Sequence, residues 1–190
     1  MSTITATAPA TVVTAKGQEY QLYWPTELSE VERLELLALY DEVARHEGTH
    51  GYAGPITNDL GRGLVDDDAE ALVNGSIHML LARDADGLVG SLILQPYVSH
   101  ARRHTIHAKR AVVARRARGT FFPLMALEAM QKCVDIGAEI ATLDVAADGP
   151  VKLWKSLGFE QYGMMPDYAR RNGQSLDGYF LYMRLPAKPE

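Results

Sequence analysis

Apolar positions fall into short runs separated by glycine, proline and acidic breaks, and their spacing switches several times between strand and helix periods. Tyr20–Trp24 reads as a short strand ended by Pro25. Ser29 followed by Glu32 has the form of a capping box, and Val31, Leu34, Leu37 and Tyr40 then recur at helical spacing to Arg45. A glycine-rich stretch from Gly48 to Gly63 predicts a loop, and Asp67–Val73 a short helix. Ile77–Ala82 and Leu88–Gln95 are apolar, β-branched runs on either side of Asp84-Ala85-Asp86-Gly87, which predicts a hairpin. Thr105–Val113 is a third consecutive strand. After Gly119, Leu124, Leu127, Met130 and Val134 mark one face of a helix with Pro123 in its first turn and Gly137 as its stop. Ile140–Val145 reads as a buried strand, Pro150–Leu157 as a short helix closed by Gly158, and Tyr179–Leu185 as the last strand.

That order predicts an α+β fold, a mixed and mostly antiparallel twisted sheet of six to seven strands with helices on both faces. Residues 1–16, rich in Ser, Thr and Ala, read as a flexible tail in which Thr11–Thr14 could add an edge strand, and residues 17–186 as a single domain.

Composition narrows the class. The 190 residues are 47% hydrophobic and 23% charged, enough for one well-buried core. Cys133 is the only cysteine, which excludes a disulfide-stapled scaffold and predicts a reducing compartment. No apolar run approaches the roughly 20 residues of a membrane span, and the N-terminus lacks the basic and apolar blocks of a signal peptide, so a soluble, cytoplasmic protein without a membrane partner is expected. The net charge of -5 argues against nucleic-acid binding, as does the lack of aromatic residues within the basic stretch. Whether the chain is a monomer or a homodimer stays open.

Charge is unevenly spread. Arg102, Arg103, Lys109, Arg110, Arg115, Arg116 and Arg118 follow one another with no acid between them, and the run stops just before a helix, where backbone N–H groups and the helix dipole also favour anions. Asp66, Asp67 and Asp68 read as the solvated start of a helix.

Three segments between Ile77 and Leu185 together resemble the GNAT superfamily of acyl-CoA-dependent N-acetyltransferases. Val112-Val113-Ala114-Arg115-Arg116-Ala117-Arg118-Gly119-Thr120-Phe121, followed by Leu124-Met125, is similar to the strand-loop-helix signature that binds the coenzyme pyrophosphate. Val151–Phe159, with its Leu-Gly-Phe ending, resembles the short helix bordering the pantetheine channel, and Gly163–Pro166, Tyr168–Arg171 and Asp177–Met183 resemble the closing segment. The resemblance implies acetyl-CoA as co-substrate, held by Val112, Val113, Arg116, Arg118, Gly119, Thr120, Phe121 and Trp154. Counting forward from Val113 puts the key arginine at Arg118. Counting back from Leu124 puts it at Arg116, the preferred register because it keeps Gly119 in the central glycine position. Phe121, Ala147 and Trp154 depart from the pattern; at the last of these the family often has the tyrosine that protonates the leaving thiolate.

Acetyl transfer to an amine needs a base, an N–H aimed at the developing oxyanion and a proton for the sulfur. His104 and His107 lie on opposite faces of their strand, so at most one points at the substrate, and His107 is nearer the expected carbonyl. Asp144 is a second candidate base or amine-orienting carboxylate, and Tyr162 or Tyr168 a candidate acid, with Tyr168 preferred. In this fold the acceptor pocket is built from the first helices, their connecting loop and the last hairpin, which implies His46, His50 and Tyr52 as substrate-binding residues and a small polar amine such as an amino acid, polyamine or antibiotic as substrate. Two other readings compete. A catalytically altered acyl-CoA-binding protein or regulator would share the fold. His46-Glu47-Gly48-Thr49-His50 also has the zinc-protease spacing, but Gly48 breaks the helix that chemistry needs, and no metal is expected.

Overall fold

The computed structural model describes residues 10–13, 17–46, 52, 54–56, 58–119, 121–147 and 149–188. In chain order the elements are β1 (Ala10–Val13), β2 (Glu19–Tyr23), α1 (Glu30–His46), α2 (Asn58–Val73), β3 (His78–Asp84), β4 (Gly87–Pro96), β5 (Thr105–Val113), α3 (Phe122–Asp135), β6 (Ile140–Ala146), α4 (Val151–Ser156), β7 (Glu160–Arg171) and β8 (Gln174–Arg184). The strands form one sheet in the order β1-β2-β3-β4-β5-β6-β8-β7. All neighbours are antiparallel except β5 and β6. Along β4 eight consecutive residues, Gly87–Leu94, are buried, so both alternating faces of the sheet centre are covered. The helix α1 packs on β4 and β5, and α3 on β3 and β4.

The mixed α+β architecture is the expected one, with eight strands rather than six or seven. The edge strand read at Thr11–Thr14 is present as β1, Ala10–Val13, paired with β2. The strand beyond expectation is β7, which no apolar alternation announces because most of its side chains are exposed at the sheet edge.

The Ser29 capping box forms as the sequence predicts: Ser29 N donates to Glu32 Oε2 at 2.8 Å and Glu32 N to Ser29 Oγ at 3.3 Å. The buried stripe of α1 is displaced from expectation. Leu36, Leu39, Tyr40 and Val43 face the core while Val31 and Leu34 stay exposed. Helix α1 holds four leucines, more than one face needs, and the side that meets the sheet decides which are buried. In α3 the expected Met130 and Val134 are buried together with Phe122, Met125, Ala129 and Cys133, while Leu124 and Leu127 are exposed.

The largest correction concerns α2, which begins at Asn58 and absorbs much of the predicted glycine loop. At Gly61 a Cβ would stand 2.2 Å from Leu37 Cδ1 on α1. The glycine permits close helix contact rather than a turn. With α2 extended, Leu64, Val65, Ala69 and Leu72 form a buried stripe, and Asp68, 4% exposed, lies within it rather than in solvent. No described helix is long and apolar enough to cross a membrane.

Candidate active site

The strands β5 and β6 pair only over Thr105–His107 and Ile140–Thr142. Beyond that point β5 continues to Val113 and β6 to Ala146 without a shared ladder, while the far edge of β6 stays bound to β8. The strands therefore splay. Main-chain groups of Ala108–Val113 that point away from β4 meet a cleft of about 470 Å³ instead of a neighbouring strand. Its β5 wall is Ala108, Lys109, Arg110, Ala111 and Val113, and its β6 wall Leu143, Asp144 and Val145; Arg118, Gly119, Phe122, Leu153, Trp154 and Arg171 close it. The interior is apolar with several cations at its margin, and among the described residues Asp144 is the only acid that lines it.

At the apex of the splay the three candidate catalytic residues meet. His107 Nε2 lies 3.2 Å from Asp144 Oδ1, and the Tyr168 hydroxyl donates to Asp144 Oδ2. His107 Nδ1 lies 3.1 Å from Thr142 Oγ1, which also reaches the carbonyl of Ile106 at 3.3 Å. Asp144 is the member of this network that faces the cleft, with His107 and Tyr168 bracing it. The His107 imidazole first, then the Tyr168 hydroxyl, hold the Asp144 carboxyl below its ordinary range, against the opposing effect of burial. Burial and the Asp144 charge together push the Tyr168 phenol far above the ordinary tyrosine range, so it serves Asp144 as a donor and is a poor acid.

The β7 strand reaches this point through a bulge. Its register with β8 shifts between Met165 and Ala169, with Asp167 at φ 52°, and Asp167 is fixed there by Arg170 Nε at 2.9 Å and Ser175 Oγ at 2.7 Å. The Tyr168 ring then lies across Gly178, where a Cβ would stand 2.3 Å from Tyr168 Cγ. Phe180 packs edge-on against the same ring with centroids 5.9 Å apart.

The loop after β5 separates the two arginine registers. Arg116 makes a bidentate pair with Asp84 on the β3–β4 hairpin, through Nε and Nη2 at 3.1 Å each, and does not line the cleft. Arg118 and Gly119 do line it. Gly119 takes φ 70°, with open space where a side chain would stand. The structure thus sets Arg118 rather than Arg116 at the cleft, because the acid of the hairpin pairs with the earlier arginine. On the opposite side Glu42 Oε1 of α1 accepts Arg115 N at 2.7 Å and anchors the start of the loop.

Phe121 is fully buried and stacks on Tyr20 with centroids 4.4 Å apart, so it fills the core and leaves the loop open. Val112 is also buried and is not a cleft residue, whereas Val113 is. Trp154 forms cleft wall, 3% exposed and wedged edge-on between Phe122 and Phe159 with centroids 5.2 Å away on each side. His46, the last residue of α1, is exposed, and Tyr52 packs against the core; neither lines the cleft. Thr120 and His50, with Glu47–Thr49 of the zinc-protease spacing, lie outside the described residues. Sequence reasoning missed Thr142 and Phe122. Thr142 carried a signal, since it shares the face of Asp144 two residues on.

Beneath the cleft β5 itself is bulged. From Ser91 to Ile93 β4 advances two residues while β5 advances three, from Val112 to Lys109. Arg110 takes φ 49°, a region that costs a residue with a side chain roughly 1–2 kcal/mol. Its guanidinium pairs with Asp68, which also accepts the Tyr40 hydroxyl at 3.3 Å.

Compared by sequence, the chain matches no protein-family model and no curated protein. Solved structures do resemble it. A ribosomal-protein-alanine N-acetyltransferase from Brucella melitensis superposes with a TM-score of 0.71 at 19% identity, covering 85% of this chain and 99% of the other. A GNAT superfamily phosphinothricin acetyltransferase from Sinorhizobium meliloti, in complex with acetyl-CoA, gives 0.72 at 18% identity over 86% of this chain and 88% of the other. A spermidine N-acetyltransferase chimera from Vibrio cholerae and hSSAT gives 0.67 at 17% identity over 86% and 95%. The chain has the fold of the GNAT acetyltransferases.

Proposed function

We propose that the chain is an N-acetyltransferase that uses acetyl-CoA to acylate a small amine. The observation that carries this reading is the splayed β5–β6 cleft with the Asp144 carboxylate at its apex, braced by His107 and Tyr168. The donor set suits a long, polyanionic acyl carrier. Arg118 and the Gly119 turn would hold the diphosphate. Leu143, Val145, Leu153 and Trp154 would flank the apolar arm, and main-chain N–H groups on the unpaired edge of β5 would face the acyl carbonyl. When bound, acetyl-CoA supplies an acyl thioester. By their names the neighbours in fold act on a ribosomal-protein alanine, on phosphinothricin and on spermidine, so the fold leaves the amine undecided.

The residues of this chain then have distinct tasks. Asp144, kept anionic, orients the incoming ammonium through lone pairs that His107 and Tyr168 leave free. A carboxylate held low binds an ammonium better than it deprotonates one. His107 contacts the other side of Asp144 through Nε2 and keeps that carboxylate charged, and the proton that must leave the amine passes to solvent. Thr142 fixes the ring orientation.

The replacement of a phenol by buried Trp154 favours one rival, an acyl-CoA-binding protein that does not transfer the group. Calorimetric binding of acetyl-CoA combined with coenzyme release against a panel of amino acids, polyamines and aminoglycosides separates the two. Binding with turnover supports transfer; binding without turnover supports the rival; no binding removes both.

A further inference from the structure

We propose that Asp68 of α2, backed by Tyr40 of α1, is a positioning residue for acyl transfer: it holds Arg110 by its guanidinium and thereby fixes the bulge in β5 that aims main-chain donors into the cleft. The inference rests on the acetyltransferase reading for its kinetics but not for its geometry.

Three observations meet at this point. Arg110 is one of three described residues other than glycine with positive φ, and the only one of them in the cleft wall. Such a conformation persists only where the surroundings over-determine it. The bulge lies where β5 has lost β6 as a partner, so pairing on that edge cannot enforce it. The tie comes instead from outside the sheet. Asp68 is 4% exposed, an aspartate on the apolar stripe of α2, and pairs with the Arg110 guanidinium. Tyr40, fully buried, completes it.

A buried acid among Leu64, Val65, Ala69 and Leu72 costs stability that an apolar residue there would not. Its presence is explained by what it holds. The cost is matched by a backbone conformation on which transfer depends, since donors in an oxyanion site act through fixed position.

The test uses Asp68→Asn, which keeps the shape and the Tyr40 contact but weakens the hold on Arg110, and the double variant Asp68→Asn/Arg110→Gly, in which glycine adopts positive φ unaided. A crystal structure of D68N is expected to show Arg110 out of positive φ or the Ser91–Val112 register moved. An unchanged backbone overturns the proposal whether or not the wild type acetylates anything. In kinetics, D68N is expected to lose about 10- to 100-fold in kcat with acetyl-CoA affinity retained. The double variant is expected to regain most of that loss. An undiminished kcat in D68N overturns the proposal, as does a loss that glycine does not rescue, which marks Asp68 as a core residue only. If D68N does not fold, the double variant alone decides: bulge and rate retained support the clamp, bulge lost overturns it. Absence of turnover in the wild type instead refutes the acetyltransferase reading and leaves the crystallographic arm intact.

Discussion

His107 Nε2 stands 3.2 Å from Asp144 Oδ1 across the last paired rung before β5 and β6 part. Parallel register sets His107 opposite Thr142, two residues short of Asp144, so imidazole and carboxylate meet at the mouth of the gap the strands open. The charge that faces the cleft is thus fixed by sheet geometry rather than by a loop.

This pairing makes stability depend on acid. Asp144 is held below its ordinary range by His107 and Tyr168, so folding favours its charged form. The sign follows: the stabilisation is complete above the unfolded aspartate value near 3.9 and is lost as pH falls through the lower folded value. Urea midpoints measured from pH 6 down to pH 2 are expected to fall less steeply below about pH 4 for Asp144→Asn than for the wild type. Parallel slopes contradict the pairing.

The two arginines of the loop separate cleanly. Arg118→Glu is expected to weaken acetyl-CoA binding at least about tenfold, since a charge-assisted contact is worth about 1.5–3 kcal/mol. Arg116→Glu is expected to leave binding near the wild-type level and to cost about 1 kcal/mol of stability by setting a second acid beside Asp84. Calorimetry with acetyl-CoA and thermal melts of both variants check this. The reverse pattern restores Arg116 as the phosphate ligand.

Gly178 tests the seat of Tyr168. Gly178→Ala places a Cβ 2.3 Å from Tyr168 Cγ and is expected to cost about 1–3 kcal/mol while turning the phenol off Asp144. Tyr168→Phe removes the hydroxyl alone. The alanine variant is expected to lose at least as much turnover as the phenylalanine variant and to melt lower. Equal melting temperatures for G178A and the wild type contradict the contact.

Much of this was legible in the residues. Periodicity places β3, β4, β5, α3 and β6, and the Ser29–Glu32 pair marks the start of α1 to the residue. His107, Asp144 and Tyr168 are readable as candidates from strand alternation and resemblance, yet nothing in sequence says that one network joins them. That depends on the register of β5 with β6 and on the bulge at Asp167. Arg116 lies away from the cleft because it pairs with Asp84, the last residue of β3 and distant in the chain. Asp68 was hidden by Gly61 and Gly63: read as loop glycines, they cut α2 short and removed the apolar stripe that marks the acid as buried. The Phe121 ring, off the family pattern, has a stacking partner in the core, Tyr20.

The most direct measurement is coenzyme release from acetyl-CoA with a panel of small amines, made on the wild type and on Asp144→Asn with acetyl-CoA affinity measured in parallel. We expect turnover by the wild type with at least one amine, and a kcat lower by about 10²- to 10⁴-fold in D144N at unchanged acetyl-CoA affinity. Equal turnover by both proteins would contradict the assignment of the Asp144 cleft as the site of transfer.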